Sequence, residues 1–201
     1  MKLGLYVEGS TEKAVPAFIK RWLDPQLPLP VSVVPIPFRG AQDYLNHFAD
    51  RVKLALAERK IDGAIGLIDF YGSKLPYRGE TIKEQYRSAR RHLESKVNDP
   101  RFIQHFAVHE TEAWLFSDPA IFPVAVGSDL PDTRHPESIN SSHPPASILR
   151  DLYFRRLGKK YKKPVEGATL FGKLDPNLAY SRCPHLKLLL DDILALAKGV
   201  A

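Results

Sequence analysis

Apolar and polar positions alternate along the first part of the chain in blocks that predict strands followed by helices. Four short apolar runs are bounded by turn residues and predict buried strands. They cover residues 2–7, 31–38, 64–68 and 102–108. Longer stretches between them place apolar side chains at helical spacing and predict amphipathic helices. These helices cover residues 11–23, 41–60 and 81–97.

Strands that alternate with helices pair in parallel, and both faces of such a sheet are covered. The sequence therefore predicts an α/β fold with about four mainly parallel strands. Pro35 and Pro37 lie in the second predicted strand, which indicates an edge position or a frayed end because proline cannot donate a ladder hydrogen bond. Thr81 and Glu84 fit a capping box that opens the third helix.

The pattern changes after residue 126. Residues 127–145 are rich in proline and small polar residues, which predicts a loop or lid. Helical spacing then returns, and we predict two or three helices over residues 146–157, 169–174 and 183–198. We interpret residues 1–126 as the α/β core and residues 146–201 as a helical extension that packs on it.

Composition restricts the class of protein further. The chain has 201 residues, of which 44% are hydrophobic, enough for a sizeable core. Its one cysteine, Cys183, cannot form an internal disulfide or a multi-cysteine zinc site, and favours a reducing cytoplasm. The first residues lead directly into a strand, and no run of 18 apolar residues occurs. We therefore expect a cytoplasmic protein without a signal peptide or a membrane partner.

The net charge of +6 is concentrated in one segment, residues 150–163. We call its basic residues the basic strip: Arg150, Arg155, Arg156, Lys159, Lys160, Lys162 and Lys163. Because the rest of the chain is close to neutral, the strip predicts contact with a polyanion, with nucleic acid ahead of an anionic membrane. A solvated surface helix or linker explains the same charges equally well.

Acidic side chains follow three of the predicted strands. Glu8 follows the first strand, Asp69 the third and Glu110 the fourth. Because the carboxyl ends of parallel strands share one edge of a sheet, we expect these groups to meet in space. Clustered carboxylates repel one another unless a cation joins them, and Mg²⁺ prefers oxygen ligands. The sequence therefore predicts a divalent metal site at this edge.

Two further acids lie beside these three. Glu12 is either another metal ligand or a first-turn acid that the helix dipole favours. Glu112 shares a face with Glu110 on a strand, but on a helix the two diverge by about 200°. If the extended chain reaches Glu110 and a helical turn begins at Thr111, Glu110 is the ligand and Glu112 a helix-start or supporting acid.

Several catalytic motifs are absent from the sequence. His109 and Glu110 begin like a zinc-protease HExxH motif, but Ala113 occupies the position of the second histidine. The patterns GxxxxGK[ST], GxGxxG and GxSxG do not occur either. ATP hydrolysis, dinucleotide redox chemistry and serine hydrolysis are therefore disfavoured for this chain alone.

Five motifs together resemble an uncharacterised bacterial domain-of-unknown-function family of the Toprim-like superfamily. They are VEGSTE at 7–12, LIDFYG at 67–72, HETEAWLF at 109–116, PESIN at 136–140 and RCPH at 182–185. The resemblance implies a Rossmann-like Toprim-type sheet and Mg²⁺-dependent work on phosphodiesters. Glu8 would correspond to the superfamily's first glutamate and Asp69 to the first aspartate of its DxD motif. Tyr71 replaces the second aspartate of that motif.

These observations lead to two hypotheses for the function. The first is a Mg²⁺- or Mn²⁺-dependent nuclease that binds metal through Glu8, Asp69 and Glu110, with Glu12 or Glu112 assisting. The basic strip, with Lys74 and Arg78, would hold the nucleic-acid backbone. The alternative is a non-catalytic nucleic-acid or protein-binding subunit with a degenerate Toprim-like site and a separate ATPase partner. A structural α/β module of unrelated function is a third possibility.

Overall fold

A computed structural model of the chain describes residues 1–9, 14–71, 73, 75, 78–131, 134–139 and 143–199. In these ranges the strands form one parallel sheet with the order β2-β1-β3-β4. The strands are β1 (Lys2–Val7), β2 (Ser32–Pro37), β3 (Gly63–Asp69) and β4 (Phe102–Ala107). The predicted α/β fold with four parallel strands is confirmed.

The strand order creates a crevice between β1 and β3. Leu3 of β1 pairs with Val33 of β2 on one side and with Gly63 of β3 on the other. The chain thus leaves β1 towards one edge of the sheet and returns across it to reach β3. Ligands of open α/β sheets bind where the strand order reverses in this way, beyond the carboxyl ends of the strands.

Helices cover both faces of the sheet, as the sequence predicted. The helices are α1 (Val15–Leu23), α2 (Ala41–Ala57), α3 (Ile82–Val97), α4 (Val124–Gly127), α5 (Pro145–Leu157), α6 (Ala168–Lys173), α7 (Pro176–Arg182) and α8 (Pro184–Ala197). One face carries α2 and α3, which bury Tyr44, Phe48 and Leu93 against the sheet. On the opposite face, α1 and the C-terminal helices share a second cluster that includes Phe18 and Leu190.

The C-terminal helices are therefore an integral layer of the protein. Helix α7 contacts α1, and α8 contacts both α1 and β4. Apolar side chains from these helices belong to the same buried cluster as those of β1. The boundary at residue 126 stays a prediction, but the layer that follows it closes one side of the sheet.

The observed elements differ from the sequence predictions in several places. Helix α2 ends at Ala57, earlier than predicted, and α1 covers Val15–Leu23, while residues 11–13 of its predicted range lie outside the described residues. Helix α7 was not predicted, although Asp175 before Pro176 is a typical helix start: the Asp175 carboxylate accepts a 2.9 Å hydrogen bond from the backbone N–H of Asn177. The predicted loop 127–145 contains one 3₁₀ turn, Pro136–Ser138, among its described residues.

Two local predictions are confirmed by contacts. Strand β2, which contains both prolines, is an edge strand. The Thr81 hydroxyl accepts a 3.2 Å hydrogen bond from the backbone N–H of Glu84, and the Glu84 carboxylate accepts a 3.1 Å bond from that of Thr81. This capping box fixes the start of α3. No helix within the described ranges combines the length and the apolarity needed to cross a bilayer.

Replacing Gly66 should destabilise the fold strongly, because a Cβ there would overlap the Tyr44 hydroxyl and the Gln104 side chain. Those two buried groups share a 2.7 Å hydrogen bond. We expect Gly66→Ala to lower the free energy of unfolding by about 2–3 kcal/mol in urea denaturation. Gly172→Ala is the matched control, since a Cβ in that helix meets nothing within 4 Å. Equal stability of the two variants would contradict the prediction.

Candidate functional site

Carboxyl groups converge at the carboxyl ends of β1 and β3. Glu8 follows β1, and its Oε2 accepts a 3.4 Å hydrogen bond from the backbone N–H of Asp69 at the end of β3. Burial raises the pKa of Asp69 well above its ordinary value, and the charges of Glu8, Glu112 and Glu110 raise that pKa further. We call these four groups the carboxylate cluster: Glu8, Asp69, Glu110 and Glu112. Glu12, the fifth predicted acid, lies outside the described residues.

Glu110 joins the cluster to a distant helix. Its backbone is extended, and the 3₁₀ segment Thr111–Ser117 begins at the next residue, as the sequence predicted. The Glu110 Oε2 accepts a 2.7 Å hydrogen bond from the backbone N–H of Ala146, in the first turn of α5. A carboxylate at a helix N-terminus is favourable because it satisfies an unpaired N–H group. One oxygen of Glu110 is therefore already engaged within the protein.

Glu112 is the most enclosed member of the cluster. Its side chain is only 1% exposed, and its Oε2 lies 3.0 Å from the Lys163 ammonium. The other oxygen, Oε1, is buried and has no hydrogen-bond partner among the described residues. Burial raises the pKa of Glu112, and the charge of Lys163 opposes that shift. The sequence pattern predicted a supporting role for this residue, whereas the fold buries it among the other acids.

Lys163 supplies positive charge to the cluster. Its side chain is 25% exposed, and its charge is the largest influence that lowers the pKa of Asp69. Lys163 begins a single π-helical turn, Lys163–Gly167, that precedes α6. In contrast, the other residues of the basic strip are exposed. The fold thus separates Lys163 from its sequence neighbours and places its ammonium beside Glu112.

The donors of the cluster suit a hard cation, although their arrangement is not that of a finished metal site. Carboxylate oxygens are the ligands that Mg²⁺ and Mn²⁺ prefer, and the Glu112 Oε1 is buried without a partner. Yet within the part of the chain that is described, no three His, Cys, Asp or Glu side chains are placed to hold one ion. The cluster is instead organised around the Lys163 ammonium, so a bound ion would require these side chains to rearrange.

An aromatic pair lies next to the cluster. The rings of Tyr71 and His109 stack with centroids 4.9 Å apart. His109 has a φ of 74°, which is costly for a residue with a Cβ and is found mostly at functional or tightly constrained positions. Burial lowers the pKa of His109, which favours its neutral form. Tyr71 and His109 therefore place two stacked rings beside the cluster.

Glu137, in the PESIN motif, is a structural residue that the sequence did not identify. Its carboxylate accepts hydrogen bonds from the Trp114 indole N–H at 3.0 Å and from the backbone N–H groups of His185 and Leu186 at 2.7 and 3.1 Å. Glu137 therefore caps the N-terminus of α8 from a distant loop and fixes Trp114 at the same time. This contact joins the PESIN and RCPH motifs. Because the two motifs are far apart in the chain, no local sequence pattern predicted the contact.

The predicted nucleic-acid residues have different surroundings. Arg156 pairs with Asp129, and Arg150 donates a 2.6 Å hydrogen bond to the Ser147 hydroxyl. Lys74 lies outside the described residues, and the exposed Arg78 lies just before α3. Their role in nucleic-acid binding stays a prediction.

The fold and site define a class: an α/β protein with a carboxylate cluster at the carboxyl edge of its parallel sheet. The model of a family described as Domain of unknown function (DUF4276) matches residues 7–194. Since this range spans most of the chain, the protein belongs to that family, which confirms the expected uncharacterised domain family. No curated protein and no solved structure matched the chain.

Proposed function

We propose that the carboxylate cluster binds Mg²⁺ or Mn²⁺ and that the protein is a Toprim-like, metal-dependent nuclease. The main supporting observation is Glu112, whose buried Oε1 has no hydrogen-bond partner among the described residues. An unsatisfied buried polar group costs about 1–3 kcal/mol, and a bound ligand would remove that cost. The crevice between β1 and β3 is also where open α/β sheets bind their ligands.

Glu8, Asp69 and Glu112 would supply oxygens to the ion, and Glu110 would supply its second oxygen. A bound ion would polarise a phosphoryl oxygen and lower the pKa of an attacking water. Asp69 lies at the partly buried end of β3, where desolvation makes its charge costly without a cation. The charge of the Lys163 ammonium offsets part of that cost. The stacked rings of Tyr71 and His109 belong to residues that lie beside Asp69 and Glu110 in the chain.

Glu8→Gln and Glu112→Gln should each reduce metal-dependent cleavage by at least about 100-fold, because each removes a charged oxygen ligand. The assay would follow a labelled DNA or RNA strand with Mg²⁺ or Mn²⁺, and EDTA should stop cleavage. Glu80→Gln is the control, since this exposed acid lies outside the cluster. Cleavage that resists EDTA, or a fully active Glu8→Gln protein, would refute the mechanism.

A second candidate is a non-catalytic nucleic-acid or protein-binding subunit that works with a separate ATPase. It is favoured by the ion pair between Lys163 and Glu112, and by Tyr71 in place of a second aspartate. Calorimetric titration with Mn²⁺ distinguishes the candidates. No heat of binding at millimolar Mn²⁺, together with intact nucleic-acid binding, would support the subunit over the nuclease. The ATPase partner and the cytoplasmic location stay predictions.

A further inference from the structure

Helix α3 carries a row of basic side chains along its exposed surface. Lys83, Arg87 and Arg91 follow one another at intervals of four residues, and all three are exposed. None of them makes a hydrogen bond or an ion pair with the described residues. Like charges at this spacing destabilise a helix by about 0.2–0.5 kcal/mol per pair. An anion bound along the row would offset the repulsion between these like charges.

Arg78 extends this basic surface from the loop before α3. Its backbone N–H donates a 3.1 Å hydrogen bond to the Ser88 hydroxyl, which fixes it against the helix. A cleft of about 340 Å³ lies between them and is lined by Arg78, Gly79, Glu84, Arg87, Ser88 and Arg91. We call Arg78, Lys83, Arg87 and Arg91 the α3 row.

The acid in this cleft does not cancel the charge of the α3 row. The Glu84 carboxylate is engaged by the backbone N–H groups of Glu80 and Thr81 at 3.0 and 3.1 Å, as part of the capping box. These hydrogen bonds lower the pKa of Glu84, so it stays ionised at neutral pH. Three arginines, Arg78, Arg87 and Arg91, thus line the cleft beside one anion whose orientation is fixed by the backbone.

Arg90 shows the contrast on the same helix. Its guanidinium donates to Glu94 at 2.8 Å and to Asp192 at 2.7 Å, so its charge is neutralised inside the protein. The partly buried Arg90 is therefore paired, while the arginines of the α3 row face solvent. Paired arginine stabilises the fold, and unpaired arginine is available to a phosphate.

Helix α3 also connects the row to the carboxylate cluster. The ring centroids of Tyr86 and Phe70 lie 6.1 Å apart, and those of Phe70 and Tyr71 lie 5.2 Å apart. Phe70 directly follows Asp69. In a parallel α/β unit, a helix begins near the edge at which the preceding strand ends. The N-terminal part of the row therefore lies on the same side of the protein as the cluster.

We infer that the α3 row binds the phosphate backbone of a nucleic-acid strand and guides it towards the carboxylate cluster. The choice of nucleic acid as the ligand rests on the proposed function. Guanidinium groups bind phosphate oxygens through paired hydrogen bonds, and such contacts position a strand without reading its bases. The α3 row is thus a more specific candidate for the backbone contact than the basic strip as a whole.

The test measures binding of a fluorescent single-stranded DNA by anisotropy in EDTA, over a series of salt concentrations. Because neither cleavage nor a metal ion is involved, binding is measured independently of the proposed nuclease activity. We expect Arg87→Gln/Arg91→Gln to weaken binding at least 10-fold at low salt. The slope of log affinity against log salt should fall by about 1.4, the loss of two phosphate contacts.

Lys53→Gln/Lys173→Gln is the matched control, because it removes two exposed charges on α2 and α6 and should bind like the wild type. Thermal unfolding should show that both double variants remain folded. The inference is overturned if the wild type does not bind, if the Arg87 and Arg91 variant binds normally, or if only Lys159→Gln/Lys160→Gln weakens binding. Lost cleavage in Glu8→Gln with normal DNA binding would leave the inference intact. If the Arg87 and Arg91 substitutions weaken DNA binding but the wild type never cleaves nucleic acid, only the proposed nuclease activity is refuted.

Discussion

Lys163→Met is expected to lower the free energy of unfolding by about 3 kcal/mol in EDTA at neutral pH. The substitution removes the ammonium that lies 3.0 Å from Glu112, whose side chain is 1% exposed. Breaking a buried ion pair by removing one partner leaves an uncompensated charge, which typically costs about 3–5 kcal/mol. Urea denaturation measures the loss, and Lys160→Met, at an exposed site in the same segment, should have almost no effect.

The loss in Lys163→Met should grow as pH rises. Burial raises the pKa of Asp69 and Glu112 in the folded state, so the folded protein holds their protons more tightly than the unfolded chain does. Stability therefore falls as pH rises above the ordinary carboxyl range. Without Lys163 this fall should be steeper. A variant that becomes more stable as pH rises through this window would contradict the assignment.

A divalent cation should restore the stability of Lys163→Met if the cluster is a cation site. An ion that binds only the folded state adds about 2.7 kcal/mol at a concentration 100-fold above its dissociation constant. Millimolar Mn²⁺ should therefore stabilise Lys163→Met more than the wild type, in which the lysine competes. Lys163→Met/Glu112→Gln should lose this response. Equal stability of Lys163→Met with Mn²⁺ and with EDTA would argue against the proposed metal site.

Glu137→Ala should destabilise the protein by about 3 kcal/mol. The substitution removes the cap of α8 and leaves the buried Trp114 N–H without its acceptor. Loss of a helix cap costs about 1 kcal/mol, and an unsatisfied buried donor costs about 1–3 kcal/mol. Urea denaturation gives the total, and the near-ultraviolet circular dichroism of tryptophan reports whether Trp114 has lost its fixed surroundings.

Asp175→Ala provides the comparison for Glu137→Ala, because it also removes a carboxylate cap. Asp175 is exposed and caps α7 locally through the backbone N–H of Asn177. Its loss should cost only about 1 kcal/mol, since water can satisfy the freed N–H group. If Glu137→Ala were no more harmful than Asp175→Ala, the bridge between the PESIN loop and α8 would have no special energetic role.

The fold was predictable from local patterns to a large extent. Apolar runs identified the four strands, and the prolines of β2 indicated its edge position. Thr81 and Glu84 predicted the start of α3, because a capping box joins residues three positions apart. The strand order and helix α7 could not be predicted from local patterns in the same way. Strand order depends on pairing between segments far apart in sequence, and α7 is short, with its strongest signal at Asp175 and Pro176.

The sequence by itself determined that Glu8, Asp69 and Glu110 lie near the ends of parallel strands. Each of these acids follows its strand closely in the chain. The apolar pattern that predicts the strands therefore also predicts where these three acids lie. Only the tertiary structure decided that Glu112 is buried and that Lys163 turns inward to meet it. It also decided that Glu137 caps α8. These contacts join segments far apart in the chain, and their energies depend on burial, which exists only once the layers have packed together.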